Sequence, residues 1–145
     1  MAPSTALAQR VRDSGLRLTS QRLAVLAAIE EHPDHPDATE IAAAARRRVG
    51  SISTQAVYNV LEALTDAGLI RRIEPAGSPA LYETRVGDNH HHVVCRSCGT
   101  TVDVACVVGH GPCLKPSSTH GFVVDEAEVT FWGLCRSCRP TSRAR

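Results

Sequence analysis

Cys95-Arg96-Ser97-Cys98 and Cys135-Arg136-Ser137-Cys138 are one four-residue word written twice in a short chain. The two-residue gap lets both sulfurs of a pair reach one ion at about 2.3 Å, and two such pairs supply the four thiolates of a tetrahedral zinc site. A chain that fills such a site must bring distant segments together, so the repeat predicts a staple. His90, His91 and His92 stand just ahead of the first pair. Cys106 and Cys113 lie outside the set of four. They are candidate redox thiols, with inert buried thiols as the alternative.

At 145 residues the chain holds one ordinary domain or two small ones. With only five aromatics, a small lobe has a thin core and needs a metal or an interface for stability. The net charge of +1 predicts no polyanionic partner by itself. Its distribution says more. Arg10, Arg12, Arg17 and Arg22 face only Asp13, and Arg46, Arg47 and Arg48 form a run, whereas Glu30 to Glu40 holds acids and no base. No stretch is apolar enough to span a membrane and the N-terminus lacks a signal-peptide pattern, so a cytoplasmic protein without a membrane partner is expected. In that compartment thiols read as metal ligands or redox groups before structural disulfides.

Apolar periodicity and capping residues predict helices over residues 5–14, 21–31 and 38–49, and a fourth from Ser53 to Gly68. Leu23, Leu26 and Ile29 form the expected buried face of the second helix, and Val57, Val60, Leu61 and Leu64 that of the fourth. Asp37 and Glu40 make a capping box ahead of the third. Residues 69–73 and 80–82 read as a hairpin, which gives a winged helix-turn-helix pattern. Beyond residue 84 the texture turns to strands, at 91–95, 100–104 and 122–132. The predicted class is α+β. Its parts are a winged-helix lobe at 1–83, a boundary at 84–87, and a β-rich lobe at 88–145 that carries the cysteine pairs.

Three stretches resemble the ferric uptake regulator family. They are Arg17-Leu18-Thr19-Ser20-Gln21-Arg22, then Ala56-Val57-Tyr58-Asn59-Val60-Leu61, then the histidine run into Cys95. The resemblance covers roughly residues 10–140, and the wording from Arg85 to His92 is similar to an actinobacterial branch linked to catalase-peroxidase genes. It implies a homodimeric, metal-dependent repressor that binds a palindromic DNA operator, with residues 1–83 as the DNA-binding domain, 84–87 as the hinge and 88–145 as the dimerisation and metal-binding domain. Cys95, Cys98, Cys135 and Cys138 match the family's structural zinc site. His90, His92, Glu83 and Asp103 match its regulatory iron or manganese site, and His35 the ligand given by the DNA-binding lobe, in competition with His32. Strand alternation puts His90 and His92 on one face and His91 on the other, and imidazoles with carboxylates suit Fe(II) or Mn(II).

Arg17, Gln21 and Arg22 are expected on phosphates, and Ser53, Thr54, Gln55 and Tyr58 at base edges. Asp103 and the Tyr58-Asn59 pair resemble the family's peroxide sensors, which implies ferrous iron oxidising a ligand histidine, His35 or His90, under peroxide. An iron-responsive repressor of uptake genes is the alternative. Ala127 departs from the family, standing where many members place an accessory-site histidine. An enzyme is not expected, because four thiolates close the zinc site and neither His-Glu-x-x-His nor the zinc-deaminase signature occurs. A zinc-stapled protein-interaction module is the remote alternative.

Overall fold

The computed structural model describes residues 3–86, 88, 90–106 and 114–140. Cys113 lies outside them. The chain divides into two compact units, Met1–Val86 and Gly87–Arg145.

The first unit contains α1 (Pro3–Asp13), α2 (Ser20–Glu31), α3 (Ala38–Val49), α4 (Thr54–Asp66) and a hairpin of β1 (Arg71–Ile73) and β2 (Leu81–Glu83). Each helix start is chemically marked. The Thr19 hydroxyl accepts the Arg22 N–H at the head of α2, and the Ser53 hydroxyl accepts the Ala56 N–H at the head of α4. At α3 both halves of the capping box form: the Asp37 carboxylate takes the Glu40 N–H, and Glu40 takes the Asp37 N–H, each at 2.9 Å. α4 stops in a Schellman motif. Gly68 sits at φ +74° while its N–H bonds Thr65 O and that of Leu69 bonds Leu64 O.

α2 departs from the expected one-faced helix. Every residue from Ala24 to Ile29 is buried, whereas Leu23 is only partly so. The reason is its central place: α1, α3 and α4 all pack on it, and a helix enclosed on several sides has no single apolar stripe. The core around it joins Val11, Leu26, Ile41, Val57, Leu61 and Leu64. The hairpin is shorter at its first strand than expected, with Arg71 opposite Glu83 and Ile73 opposite Leu81.

The second unit is built on a sheet of order β4-β3-β5, from β3 (His90–Cys95), β4 (Thr101–Ala105) and β5 (Thr130–Gly133). β4 runs antiparallel to β3 after a tight turn closed by Gly99 at φ +78°. β5 runs parallel to β3. The long strand expected over 122–132 is paired only at its end. Residues 122–129 belong to no described strand, and Val123 is almost fully exposed. No helix among the described residues is long and apolar enough to cross a membrane.

Candidate metal centres and DNA-facing surface

The thiolate cluster follows from sheet topology. Parallel pairing sets Cys95 opposite Gly133, so the chain leaving β5 turns through Cys135–Cys138 beside the turn that leaves β3 through Cys95–Cys98. Backbone bonds shape both turns alike: Gly99 N–H to Cys95 O at 3.0 Å, and Arg139 N–H to Cys135 O at 2.8 Å. The four sulfurs lie within 4.8 Å of one another, and all four cysteines are free of disulfides. Sulfurs at the corners of a zinc tetrahedron with bonds of about 2.3 Å stand about 3.8 Å apart. Cys98 Sγ and Cys135 Sγ are 3.7 Å apart, so the cluster fits the ion.

The thiols are not equivalent. Backbone N–H groups of Cys98 and Cys135 point at Cys95 and bring its pKa down to about 6, the Cys135 N–H lying 3.4 Å from Cys95 Sγ. The Thr100 hydroxyl, 3.0 Å from Cys98 Sγ, is the main cause lowering Cys98. Cys138 gains a bond from Ser97 that lowers it, but the neighbouring cysteines Cys135, Cys98 and Cys95 outweigh that bond and raise it to about 11. Four adjacent thiols cannot all ionise unaided. A cation removes that obstacle.

In the first unit, His35 Nε2 lies 2.9 Å from Glu83 Oε2, and Glu83 is buried. The Tyr82 N–H bonds Pro36 O, and Asp37 bridges Leu81, so β2 holds the His35 segment against itself. The rival His32 takes the Asp34 N–H on its Nδ1 at 3.1 Å, a turn-forming bond.

In the second unit, His90 and His92 share a face of β3, and Asp103 is the cross-strand partner of His92. Asp103 Oδ1 lies 3.2 Å from His92 Nε2 and 3.8 Å from His90 Nε2. The two rings meet edge to face at 5.0 Å, and both are buried. His91, on the opposite face, accepts the Val129 N–H at Nδ1. One contact was not anticipated from sequence. Asp88 Oδ1 lies 2.6 Å from His90 Nδ1. The available signal was a carboxylate two residues ahead of a strand histidine, a spacing that keeps one face. Cys106, a candidate redox thiol, is disulfide-bonded.

Around α4, Ser53, Thr54, Gln55 and Tyr58 are all exposed, Tyr58 by 49%, while Val57, Leu61 and Leu64 turn inward. Two of the exposed side chains already have partners: Arg46 donates to the Thr54 hydroxyl at 3.3 Å, and the Gln55 amide donates to Asn59. Charges segregated in sequence meet in space, Arg10 with Glu30 and Arg48 with Glu31. Arg17 and Arg47 are exposed and form no ion pair among the described residues, and Gln21 is also exposed. Arg22 donates to Arg17 O at 2.6 Å, which fixes the turn into α2.

Comparison with known proteins agrees with this architecture. The chain is 54% identical over 138 residues to transcriptional regulator FurA of Mycobacterium tuberculosis, covering 95% of this chain and 93% of that one. The peroxide-responsive repressor PerR of Staphylococcus epidermidis is more distant, 28% identical over 134 residues, with 89% and 85% covered. The Helicobacter pylori ferric uptake regulator Fur, whose structure reveals three functional metal-binding sites, superposes with a TM-score of 0.72 over 97% of this chain and 96% of its own, at 19% identity. Residues 13–131 match the profile of the ferric uptake regulator family. The chain therefore belongs to the ferric uptake regulator family.

Proposed function

We propose that this protein is a metal-dependent, DNA-binding transcriptional repressor that works as a cytoplasmic homodimer and senses peroxide through ferrous iron. The observation that carries the metal-sensing part is the pair of imidazole–carboxylate sets, partly buried His35 with buried Glu83, and buried His90 and His92 with partly buried Asp103. Each lies in a different unit. Buried histidines and carboxylates are costly unless paired or committed to an ion, and this mixed nitrogen and oxygen set suits Fe(II) or Mn(II). When bound, ferrous iron would supply the one-electron reaction with peroxide that oxidises a ligand histidine, His35 or His90. His35, Glu83, His90, His92 and Asp103 would hold the ion, and oxidation of one histidine would weaken that hold.

Cys95, Cys98, Cys135 and Cys138 would hold structural zinc with no open position for chemistry. The dimer is supported by the sheet face that carries Val102, Val93 and Phe131 in one cross-strand row, with Val102 and Phe131 half exposed. A contiguous apolar row of this kind is the usual mark of a partner surface. α4 is read as the helix that enters the major groove of a palindromic operator, Ser53, Thr54, Gln55 and Tyr58 leading, with Arg17, Gln21 and Arg22 on phosphates.

The second reading is a repressor that responds to iron supply without peroxide chemistry. The family's description as a ferric uptake regulator and the distance from PerR favour it.

Fluorescence anisotropy of a labelled palindromic operator separates these readings. Zinc-stapled protein is loaded with Fe(II) or Mn(II), before and after a low dose of peroxide. Release of the Fe(II) form alone is the expected result. Binding that needs metal yet survives peroxide supports the iron-responsive repressor. Release of both forms moves the chemistry to thiols, and no metal-dependent binding at all leaves a protein-interaction module.

A further inference from the structure

One face of α4 looks onto the hairpin across a gap. Tyr58, Leu61, Glu62 and Asp66 recur at three- and four-residue spacing and so share that face. Arg72 and Tyr82, on the hairpin side, are cross-strand partners in β1 and β2. Together with Asp37 at the head of α3 they line a cavity of about 670 Å³, a volume within the range of small-molecule sites. All of these residues belong to the first unit. We propose that this cavity binds a small organic cation, an ammonium or amidinium group on a flat apolar body, and that the occupant covers Tyr58.

Tyr82 is the residue that points to a ligand. It is 5% exposed, and no described residue hydrogen-bonds its hydroxyl. Every sealed polar side-chain atom among the described residues has a partner, so this unpartnered hydroxyl opens on the cavity. Burial holds its pKa above the ordinary 10.0, which keeps it a neutral phenol able to accept an N–H. The sign of the ligand comes from charge. Arg72, the basic side chain of the lining, is taken by Glu74 at 2.6 Å, whereas Glu62 and Asp66 form no ion pair among the described residues. Standing four residues apart on one helix, these two acids repel each other, and a bound cation removes that cost. Asp37 adds a third carboxylate. Such a lining repels phosphates, which excludes the DNA backbone as the occupant. The half-exposed ring of Tyr58 gives a cation an aromatic surface to lie on, and Leu61 an apolar floor for its body.

Binding of the cation is independent of the DNA-reading role given to α4 above; only its effect on the operator rests on that role. The test uses the full-length protein with zinc in its cysteine site, benzamidinium as the ligand probe and isosteric, neutral benzamide as the control. Proton–nitrogen correlation spectra are expected to place benzamidinium against Tyr58, Glu62 and the hairpin, with an affinity about tenfold that of benzamide. Equal affinities, or shifts elsewhere on the chain, overturn the proposal. Glu62→Gln combined with Asp66→Asn changes exposed positions only and should abolish the tenfold preference; its survival overturns the choice of a cation. Tyr82→Phe should weaken binding a few-fold and leave the urea midpoint unchanged, because the hydroxyl has no partner to lose. A lowered midpoint with unaltered affinity makes that hydroxyl structural and overturns its place in the site. On labelled operator, benzamidinium should release the unaltered protein but not the double variant. Binding without release leaves the site standing and removes Tyr58 from the DNA-reading surface.

Discussion

His35 and Glu83 are 48 residues apart in sequence and 2.9 Å apart in space, joined because β2 and the segment after α2 share backbone bonds through Tyr82 and Pro36. The pair ties the segment ahead of α3 to the end of the hairpin. Substituting either residue should act on metal response before it acts on folding. His35→Ala and Glu83→Ala are expected to lower Mn(II) affinity by at least about tenfold and to abolish metal-dependent operator binding. Zinc content should not change. His32→Ala, which removes only a turn acceptor, should leave the affinity near that of the unaltered protein.

The thiol environment gives the zinc site a defined pH response. Cys95 titrates near 6 in the folded, metal-free unit, below its ordinary 9.0. A depressed folded pKa contributes stability that is fully present above the unfolded value and lost as pH falls through about 6. Cys138 is shifted the other way, to about 11, so its contribution is present below the ordinary value and lost as pH rises toward 11. Stability of the metal-free, reduced second unit should therefore peak near the ordinary thiol pKa of 9.0. Zinc uptake must strip the remaining protons, so affinity should rise with pH across the physiological range. A chromogenic zinc competitor read at several pH values checks the affinity, and urea unfolding of the metal-free, reduced protein at the same pH values checks the stability.

Stability of the helical unit rests on a few named contacts. Leu64 is fully buried at the end of α4, and Leu64→Ala should cost about 2–5 kcal/mol. Asp37→Ala removes one half of the capping box and should cost about 1 kcal/mol. Urea titration with unchanged slopes would establish that both act on the native state.

On DNA, Arg17→Ala should weaken binding about equally to operator and unrelated sequences, and reduce the salt slope by roughly one. Tyr58→Ala should instead erode discrimination between them. Thr54 is a less free base reader than its position alone suggests, since Arg46 already holds its hydroxyl. Arg46→Ala is accordingly expected to alter sequence preference through Thr54. Competition anisotropy with operators changed one base pair at a time distinguishes the three.

Local chemistry was legible in the chain; pairings between distant segments were not. Asp37, Ser53 and Gly68 announce their helix ends because caps act over a few residues. Thr19 and Ser20 stand as equal candidates for the start of α2 until the Thr19 hydroxyl is seen to accept the Arg22 N–H. The cysteine word announces its cluster because zinc needs that spacing. Nothing local says that β5 runs parallel to β3, and the alternation over 122–132 suggested a strand far longer than Thr130–Gly133. The all-round burial of α2 was hidden for a similar reason. An alanine-rich stretch between Leu23 and Ile29 shows how little room neighbours leave, not how many there are. For Asp88, the fold alone shows its contact with His90.

The parallel pairing of β5 with β3 also sets an order of events during synthesis. The first cysteine knuckle and the β3–β4 hairpin leave the ribosome well before Cys135 and Cys138, and they wait with half a binding site. Long-range parallel closure is the slow kind of contact to make. A nascent chain interrupted in that interval would display two reactive thiols and an open sheet edge, the form that quality-control proteases and oxidants meet first. Only a chain translated through residue 138 can close the thiolate cluster.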